Sequence, residues 1–236
     1  MAPQSTIIIT GGTGSLGSSL ARTLETSYPG RFYLLITCRN TEDEHAKAIS
    51  DFLKSKNGAF SVEKLDLSDL EAVKAFAENV KSKIGSGELP PLGGGGVVSS
   101  AAYQTFFKGR KGKSGKDVMY TVNTLAPTLL IRRLLPVLLG GGTVVNVGSA
   151  AHEIGRVDYF EGKEEEVKEG EKVGFMEGMK RYGSTKMLTL MVGYAFQRKL
   201  FTVSFSSFVV HLVRGSDTIR HTLRIKSMSL TLIPAL

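Results

Sequence analysis

Cysteine occurs once in the 236 residues, at Cys38, and tryptophan is absent. One thiol cannot build a disulfide framework within the chain and fits a reducing compartment. Proline numbers seven, and no stretch of about 18 uninterrupted apolar residues exists, so a membrane span is not expected. The opening Met1–Thr6 carries no charged side chain and lacks the basic and apolar regions of a signal peptide. The four histidines, His45, His152, His211 and His221, fall at no metal-ligand spacing, and no metal site is expected. Negative charge is scarce in one region. Residues 101–150 hold seven Lys/Arg against one Asp/Glu and supply most of the formal charge of +8. That excess sits in a short segment (Lys108, Arg110, Lys111, Lys113, Lys116) and is not an extended basic face interleaved with aromatics. It reads as a solvated loop, with no nucleic-acid partner.

With 42% hydrophobic and 22% charged residues, the chain is neither disordered nor collagen-like. Its length suits one domain spanning 1–236. The first hundred residues alternate strand and helix signals. Thr6–Thr10 is a β-branched run of the kind buried on both faces of a sheet. A glycine-rich turn and a helix over 15–27 follow, stopped by Pro29-Gly30. Strands are expected at 32–37, 61–65, 97–100 and 143–147. Helices are expected over 42–54, from a Ser68 cap to about 84 with Glu71 at the capping-box position, over 122–139, and over 182–200. Residues 152–180 read as an irregular surface excursion, and 201–210 as a sixth strand. Strands joined through helices give right-handed βαβ units. The fold class is therefore α/β, a doubly wound parallel sheet.

The turn Thr10-Gly11-Gly12-Thr13-Gly14-Ser15-Leu16-Gly17 satisfies both GxGxxG and TGxxGxxG, and it stands between a buried strand and a helix. There glycines allow backbone N–H groups and a helix N-terminus to approach a pyrophosphate. The flavour of dinucleotide is read after the second strand. A carboxylate there would hold the ribose hydroxyls of NAD; this chain has Arg39-Asn40, and a guanidinium can hold a 2′-phosphate. The cofactor reading is NADP(H), against the alternative that Arg39 pairs only with Glu42 or Asp43. Asp66, after the third strand, stands either to meet the adenine edge or to partner a helix N-terminus. Cys38, at the end of a buried strand, reads as core packing rather than a nucleophile.

Tyr182 and Lys186 are four apart on a helix and share a face. A phenol with an ordinary pKa near 10 is a poor acid–base group at neutral pH, and an ammonium beside it favours the phenolate. Ser149 follows a parallel strand at the end where such sheets bind ligands, and Asn123 lies on the preceding long helix.

These motifs together resemble the short-chain dehydrogenase/reductase family over roughly residues 5–200. The phrase Ser149–Val157 resembles the retinol-dehydrogenase and protochlorophyllide-reductase branch, and the wide gap before Tyr182 resembles fungal 3-ketosteroid-reductase-like proteins. The resemblance implies a Rossmann fold and hydride transfer between NADPH and a lipophilic carbonyl or alcohol. Tyr182 would be the general acid/base and Ser149 the partner of the substrate oxygen. Lys186 would hold the ribose, and Asn123 would fix a relay water. Cofactor contacts would come from Thr10–Gly17, Arg39, Asn40, Asp66, Leu67, Ser100, Ala101, Ala102, Tyr182 and Lys186. It also implies pairing of helices 122–139 and 182–200 in a homodimer. The location would be cytoplasmic, peripheral to endoplasmic reticulum or lipid bodies. The chain departs from the family at Ser99-Ser100-Ala101-Ala102, where Asn-Asn-Ala-Gly is usual, and after the sixth strand, where Pro-Gly is missing. Residues 201–236 thus form an atypical C-terminal segment, and six strands are expected with the seventh missing or altered. That tail motivates a second reading, a non-catalytic NADP(H)-binding regulatory or interaction protein. Its weakly amphipathic basic stretch, 220–233, motivates a weak peripheral membrane contact.

Overall fold

A computed structural model describes residues 2–105, 108–161 and 168–200, and the backbone of 204–211 and 224–228. Strands β1 (Ser5–Thr10), β2 (Phe32–Cys38), β3 (Ala59–Lys64), β4 (Gly96–Ser99), β5 (Thr143–Val147), β6 (Ser204–His211) and β7 (Arg224–Met228) form one sheet. Their order is β3-β2-β1-β4-β5-β6-β7. The first six are parallel, so their carboxyl ends share one edge, and the order reverses between β1 and β4. In such sheets ligands bind outside that reversal. The seventh strand is present, and it is altered in direction: β7 runs antiparallel to β6. Antiparallel neighbours need no crossover helix. The stretch Arg220–Ile233, the basis of the membrane-contact reading, lies mostly outside the described residues.

Alternation along the central strands builds two cores. Ile8 of β1 and Leu35 of β2 face one side with Val73, Phe76, Leu130 and Leu134. Ile9, Leu34 and Ile36 face the other with Ala21, Ile49 and Leu53. Helices α1 (Ser15–Ser27) and α2 (Glu44–Ser55) therefore cover one face. Helices α3 (Leu70–Gly85) and α5 (Ala126–Leu138) cover the opposite one. Burying a side chain of this size contributes about 1.5–3 kcal/mol. The glycines ahead of β4 serve this packing. A Cβ on Gly95 would strike the carbonyl of Thr6, and one on Gly96 (φ +146°) would strike Thr143.

Two helix starts differ from expectation. Asp69, not Ser68, caps α3, accepting from Glu71 and Ala72 N–H at 3.1 Å each. The Ser68 hydroxyl is engaged by Asp66 Oδ1 at 2.8 Å. Helix α6 runs over Phe175–Lys199, so Tyr182 sits two turns inside it, and residues 175–180, expected to be irregular, are helical. Its buried positions are Gly178, Arg181, Gly183, Ser184, Thr185, Lys186, Thr189 and Gly193. Met191 and Tyr194, on the same helix, are exposed. Small side chains on the buried face let the helix backbone approach its neighbours closely.

Candidate active site

The glycine turn is shaped by contact. Gly11 adopts φ +63°, and a Cβ there would lie 2.8 Å from Ala101 Cα; one on Gly17 would lie 2.5 Å from the Gly11 carbonyl. L-residues resist that φ and the space admits no methyl. Helix α1 starts after Gly14 with no side-chain cap and no acidic residue in its first turn. Its first N–H groups and positive dipole end are thus left to an anion. The Ser100 hydroxyl donates to the Thr10 carbonyl at 2.6 Å, tying the end of β4 to the end of β1.

A cavity of about 420 Å³ opens beside this turn at the carboxyl edge. Of the residues expected to hold a cofactor, Gly11, Thr13, Arg39, Asp66, Leu67, Ser100, Ala101 and Ala102 line it. Thr10, Gly12, Gly14, Ser15, Leu16 and Gly17 make the turn beside it. Asn40 lies off its wall, its side-chain oxygen accepting from Glu42 N–H at 3.0 Å. Arg39 forms no ion pair with Glu42 or Asp43 among the described residues. Asp66 serves the turn into α3, Oδ1 accepting from Ser68 N–H at 2.9 Å and from its hydroxyl, while its side chain still faces the cavity. Cys38 is buried, its thiol pushed up by burial. The uncapped helix, the glycine cradle and the unpaired Arg39 fit a dinucleotide. The segment Arg110–Lys113, read from sequence as a solvated loop, forms part of the cavity wall.

The four residues expected to be catalytic lie outside that cavity wall and are joined to it by Asn123. The side-chain oxygen of Asn123 accepts from Tyr103 N–H at 2.7 Å; its amide donates to the Tyr103 carbonyl at 2.9 Å and to Thr185 Oγ1 at 3.0 Å. Tyr103 lines the cavity, and Thr185 is on α6. Asn123 sits in a π-helical turn, Thr121–Leu125, between the short α4 (Val118–Tyr120) and α5. Pro127, four residues on, has no N–H to donate to the Asn123 carbonyl. That carbonyl accepts from Thr189 Oγ1 instead, at 2.9 Å. Such π turns recur at functional sites. The spacing of Asn123 and Pro127 was the available sequence signal.

The Ser149 hydroxyl stands close enough to the Tyr182 phenol to pull its pKa down. Ser149 also caps a 3₁₀ turn, Ala150–Ile154, its Oγ accepting from Ala151 N–H at 3.2 Å. That turn packs backbone to backbone on α6. A Cβ on Gly155 would lie 2.5 Å from the carbonyl carbon and oxygen of Gly183, and one on Gly183 would strike the Ala151 carbonyl. Arg156 N–H donates to Ser184 Oγ at 2.9 Å. Gly155 and Gly183 are therefore what bring Ser149 to Tyr182; sequence reading passed over both.

Lys186, 3% exposed, donates from Nζ to the Val147 carbonyl at 2.9 Å, and its Nζ lies 5.8 Å from the Tyr182 ring centroid. Burial pushes this amine down to about 8. Burial also pushes the Tyr182 phenol up, against the opposing pull of Ser149. Sequence reasoning anticipated a lowered phenol. In the protein alone desolvation of the phenolate outweighs the pull of the Ser149 hydroxyl. On the opposite side of α6, Arg181 NH1 lies 3.5 Å from Asp117 Oδ2 in a buried pair. Asp117 caps α4, accepting from Tyr120 N–H at 2.8 Å, and burial raises its carboxyl above the usual range. Tyr159 bonds Glu177 and is pushed up to about 12, chiefly by burial.

A Rossmann sheet with this turn and a Ser-Tyr-Lys set at its carboxyl edge defines a nucleotide-dependent oxidoreductase class. The sequence model of the short chain dehydrogenase family matches residues 5–160, and the chain belongs to that family. The cofactor that goes with it is a nicotinamide dinucleotide, NAD(P)(H). Tyr182 and Lys186 lie beyond the matched range. Human retinol dehydrogenase 12 is 28% identical over 224 residues, 93% of this chain and 65% of that protein. Human retinol dehydrogenase 11 is 26% identical over 93% of this chain and 64% of its own length. The chain thus spans just under two thirds of these curated relatives. A metagenomic short-chain oxidoreductase solved with NADP superposes with a TM-score of 0.65 at 20% identity, over 88% of this chain and 82% of that one. NADPH-bound carbonyl reductase from chicken fatty liver superposes with a TM-score of 0.61 at 16% identity, over 89% and 79%. Among the described residues no helix is long and apolar enough to cross a membrane.

Proposed function

We propose that the protein is an NADP(H)-dependent oxidoreductase that interconverts a lipophilic carbonyl and its alcohol, with Tyr182 as general acid/base. The observation that carries the reading is the convergence of Tyr182, the neighbouring Ser149 and the buried Lys186, whose Nζ lies 5.8 Å from the Tyr182 ring centroid. The dinucleotide, when bound, supplies or accepts the hydride. In reduction Tyr182 gives its phenolic proton to the carbonyl oxygen. A phenol held protonated by burial is ready for that step at neutral pH. Ser149 Oγ already accepts from Ala151 N–H, which leaves its hydroxyl proton to be donated to the same oxygen and to stabilise developing charge. Lys186, clamped to Val147, places an ammonium beside Tyr182 and the cofactor ribose. Asn123 ties the cavity wall to α6, and its carbonyl keeps a second lone pair for a relay water.

An apolar rim supports the lipophilic class. Ile154, Val157, Phe175 and Met176 are exposed on the segments that flank Ser149 and lead into Tyr182. The names of the retinol dehydrogenase relatives point the same way. The unpaired Arg39 on the cavity wall supports NADP(H) over NAD(H). The non-catalytic alternative draws nothing from the described site, where Ser149, Tyr182 and Lys186 come together.

The test is Tyr182→Phe. Carbonyl-dependent NADPH consumption is expected to fall about 10²–10⁴-fold, the usual contribution of a positioned acid. NADPH affinity measured by fluorescence should stay within about twofold, since Tyr182 lies off the cavity wall. Turnover equal to the parent's would remove Tyr182 from its role.

A further inference from the structure

The basic segment between β4 and α4 is an ordered part of the cofactor cavity. Lys113 N–H donates to the Ser68 carbonyl at 3.2 Å, and Lys113 Nζ donates to Asp69 Oδ2 at 2.9 Å. Gly112 sits so close to Ser68 that an added Cβ would lie 3.0 Å from its carbonyl oxygen. The other flank is tied down as well. Lys111 N–H donates to Glu169 Oε2 at 2.7 Å, Gly109 N–H to the Glu171 carbonyl at 2.8 Å, and Gly170 N–H to the Gly109 carbonyl at 3.0 Å. Both anchors hold the segment in the wall of the cavity that the end of β2 also lines.

The charges there are unequal. Arg39, Arg110, Lys111 and Lys113 stand on the wall with one carboxylate residue, Asp66. Lys113 is matched by Asp69 at 2.9 Å, and Arg110 lies 4.0 Å from Glu169 while also donating to Tyr103 Oη at 3.4 Å. No ion pair among the described residues takes up Arg39 or Lys111. Two cations without an ion-pair partner on the wall of one cavity attract a doubly charged group into it.

We infer that Lys111 is the second arm of a phosphate clamp whose first arm is Arg39, and that together they select the 2′-phosphate of the adenosine ribose. Dinucleotide preference in this chain is then set from two separate elements, the end of β2 and the loop after β4. The inference rests on the NADP(H) reading above and adds a specificity-determining residue that the glycine turn does not predict. Lys111 adds a point charge where Arg39 adds a planar fork, so each arm is expected to strengthen binding on its own.

Adenosine 2′,5′-bisphosphate and adenosine 5′-monophosphate are the probes, because they test the adenosine end without turnover. Titration calorimetry on the full chain should show the bisphosphate binding at least tenfold tighter than the monophosphate. Lys111→Ala should lose about tenfold for the bisphosphate and less than twofold for the monophosphate, and NADPH and NADH should behave likewise. Lys111→Arg should restore most of the loss, and Lys116→Ala, off the cavity wall, should change neither ligand. If the parent prefers the bisphosphate and Lys111→Ala keeps that preference, the clamp is wrong and the NADP(H) reading stands. If Lys111→Ala weakens both probes equally, Lys111 serves the common 5′-phosphate or the loop's packing, and the clamp is again wrong. A parent that binds both probes alike, or neither, overturns the NADP(H) reading and the clamp with it.

Discussion

Substituting Gly155 by alanine tests the contact that sets Ser149 against Tyr182. Gly155 has an extended backbone, φ −75° and ψ 159°, which alanine adopts freely. The new methyl would lie 2.5 Å from the Gly183 carbonyl carbon and oxygen and 2.8 Å from Ser184 N, all backbone atoms that cannot rotate away. Reaching 3.0–3.4 Å, where real Cβ contacts begin, requires the Ser149 turn and α6 to separate by about 0.5–0.9 Å. Overpacking of this kind costs about 1–3 kcal/mol. The lost freedom of the unfolded chain returns roughly 0.4–1 kcal/mol, so the net destabilisation should be about 0–2.5 kcal/mol. The catalytic consequence is larger in proportion. A misplacement near 1 Å costs about 10²-fold in rate, and the expected kcat loss is roughly 10–100-fold. NADPH affinity should hold, because the cavity wall does not include this turn. Gly85→Ala is the control: its Cβ would meet nothing within 4 Å, and its kinetics should match the parent's. Steady-state kinetics with urea unfolding decides the matter. A Gly155→Ala enzyme with parental kcat and parental stability would refute the backbone contact as the positioning device.

Two further outcomes follow from buried charge. Lys186 falls to about 8 in the folded protein from about 10.4 in the unfolded chain. Between those values the unfolded chain binds more protons, so stability rises as pH climbs from about 8 toward 10. The full difference is on the order of 3 kcal/mol. Lys186→Met should be the more stable protein at pH 7 and should lose this rise, as read by urea unfolding at pH 7 to 10; a parent-to-variant gap that stays constant across the range contradicts the assignment. Asp117→Ala strands Arg181 in the interior, which costs about 3–5 kcal/mol and should lower the Tm by roughly 10 °C. The double variant with Arg181→Met should recover a large part of that loss, and no recovery would show that the cap at Tyr120, not the ion pair, dominates.

The first βαβ unit was legible because its signals were local. A buried β-branched run and a glycine turn set β1 and the start of α1, and Pro29-Gly30 marked its stop to within two residues. Tyr182, Lys186 and Ser149 were legible as residue types, and the fold brings them together. What escaped was set by distant contacts. Phe175 and Met176 are exposed and Gly178 interrupts the pattern, so the first two turns of α6 carry no amphipathic signal; Arg181 reaching Asp117, 64 positions earlier, anchors them there. Ser68 lost the cap of α3 because Asp66 engages its hydroxyl, leaving the post to Asp69. The loop at 108–116 looked like solvated charge since nothing in its own sequence points to Ser68, Asp69 or Glu169.

The proline at position 127 has an effect that reaches past its own turn. By withholding one amide proton it leaves a main-chain oxygen in the middle of a helical run permanently in want of a donor, four residues upstream. Any other residue at that position would bring an amide proton to compete with the Thr189 hydroxyl for that oxygen. The seam between two helices thus gains its contact from Thr189 to the Asn123 carbonyl through a hydrogen that the chain never had.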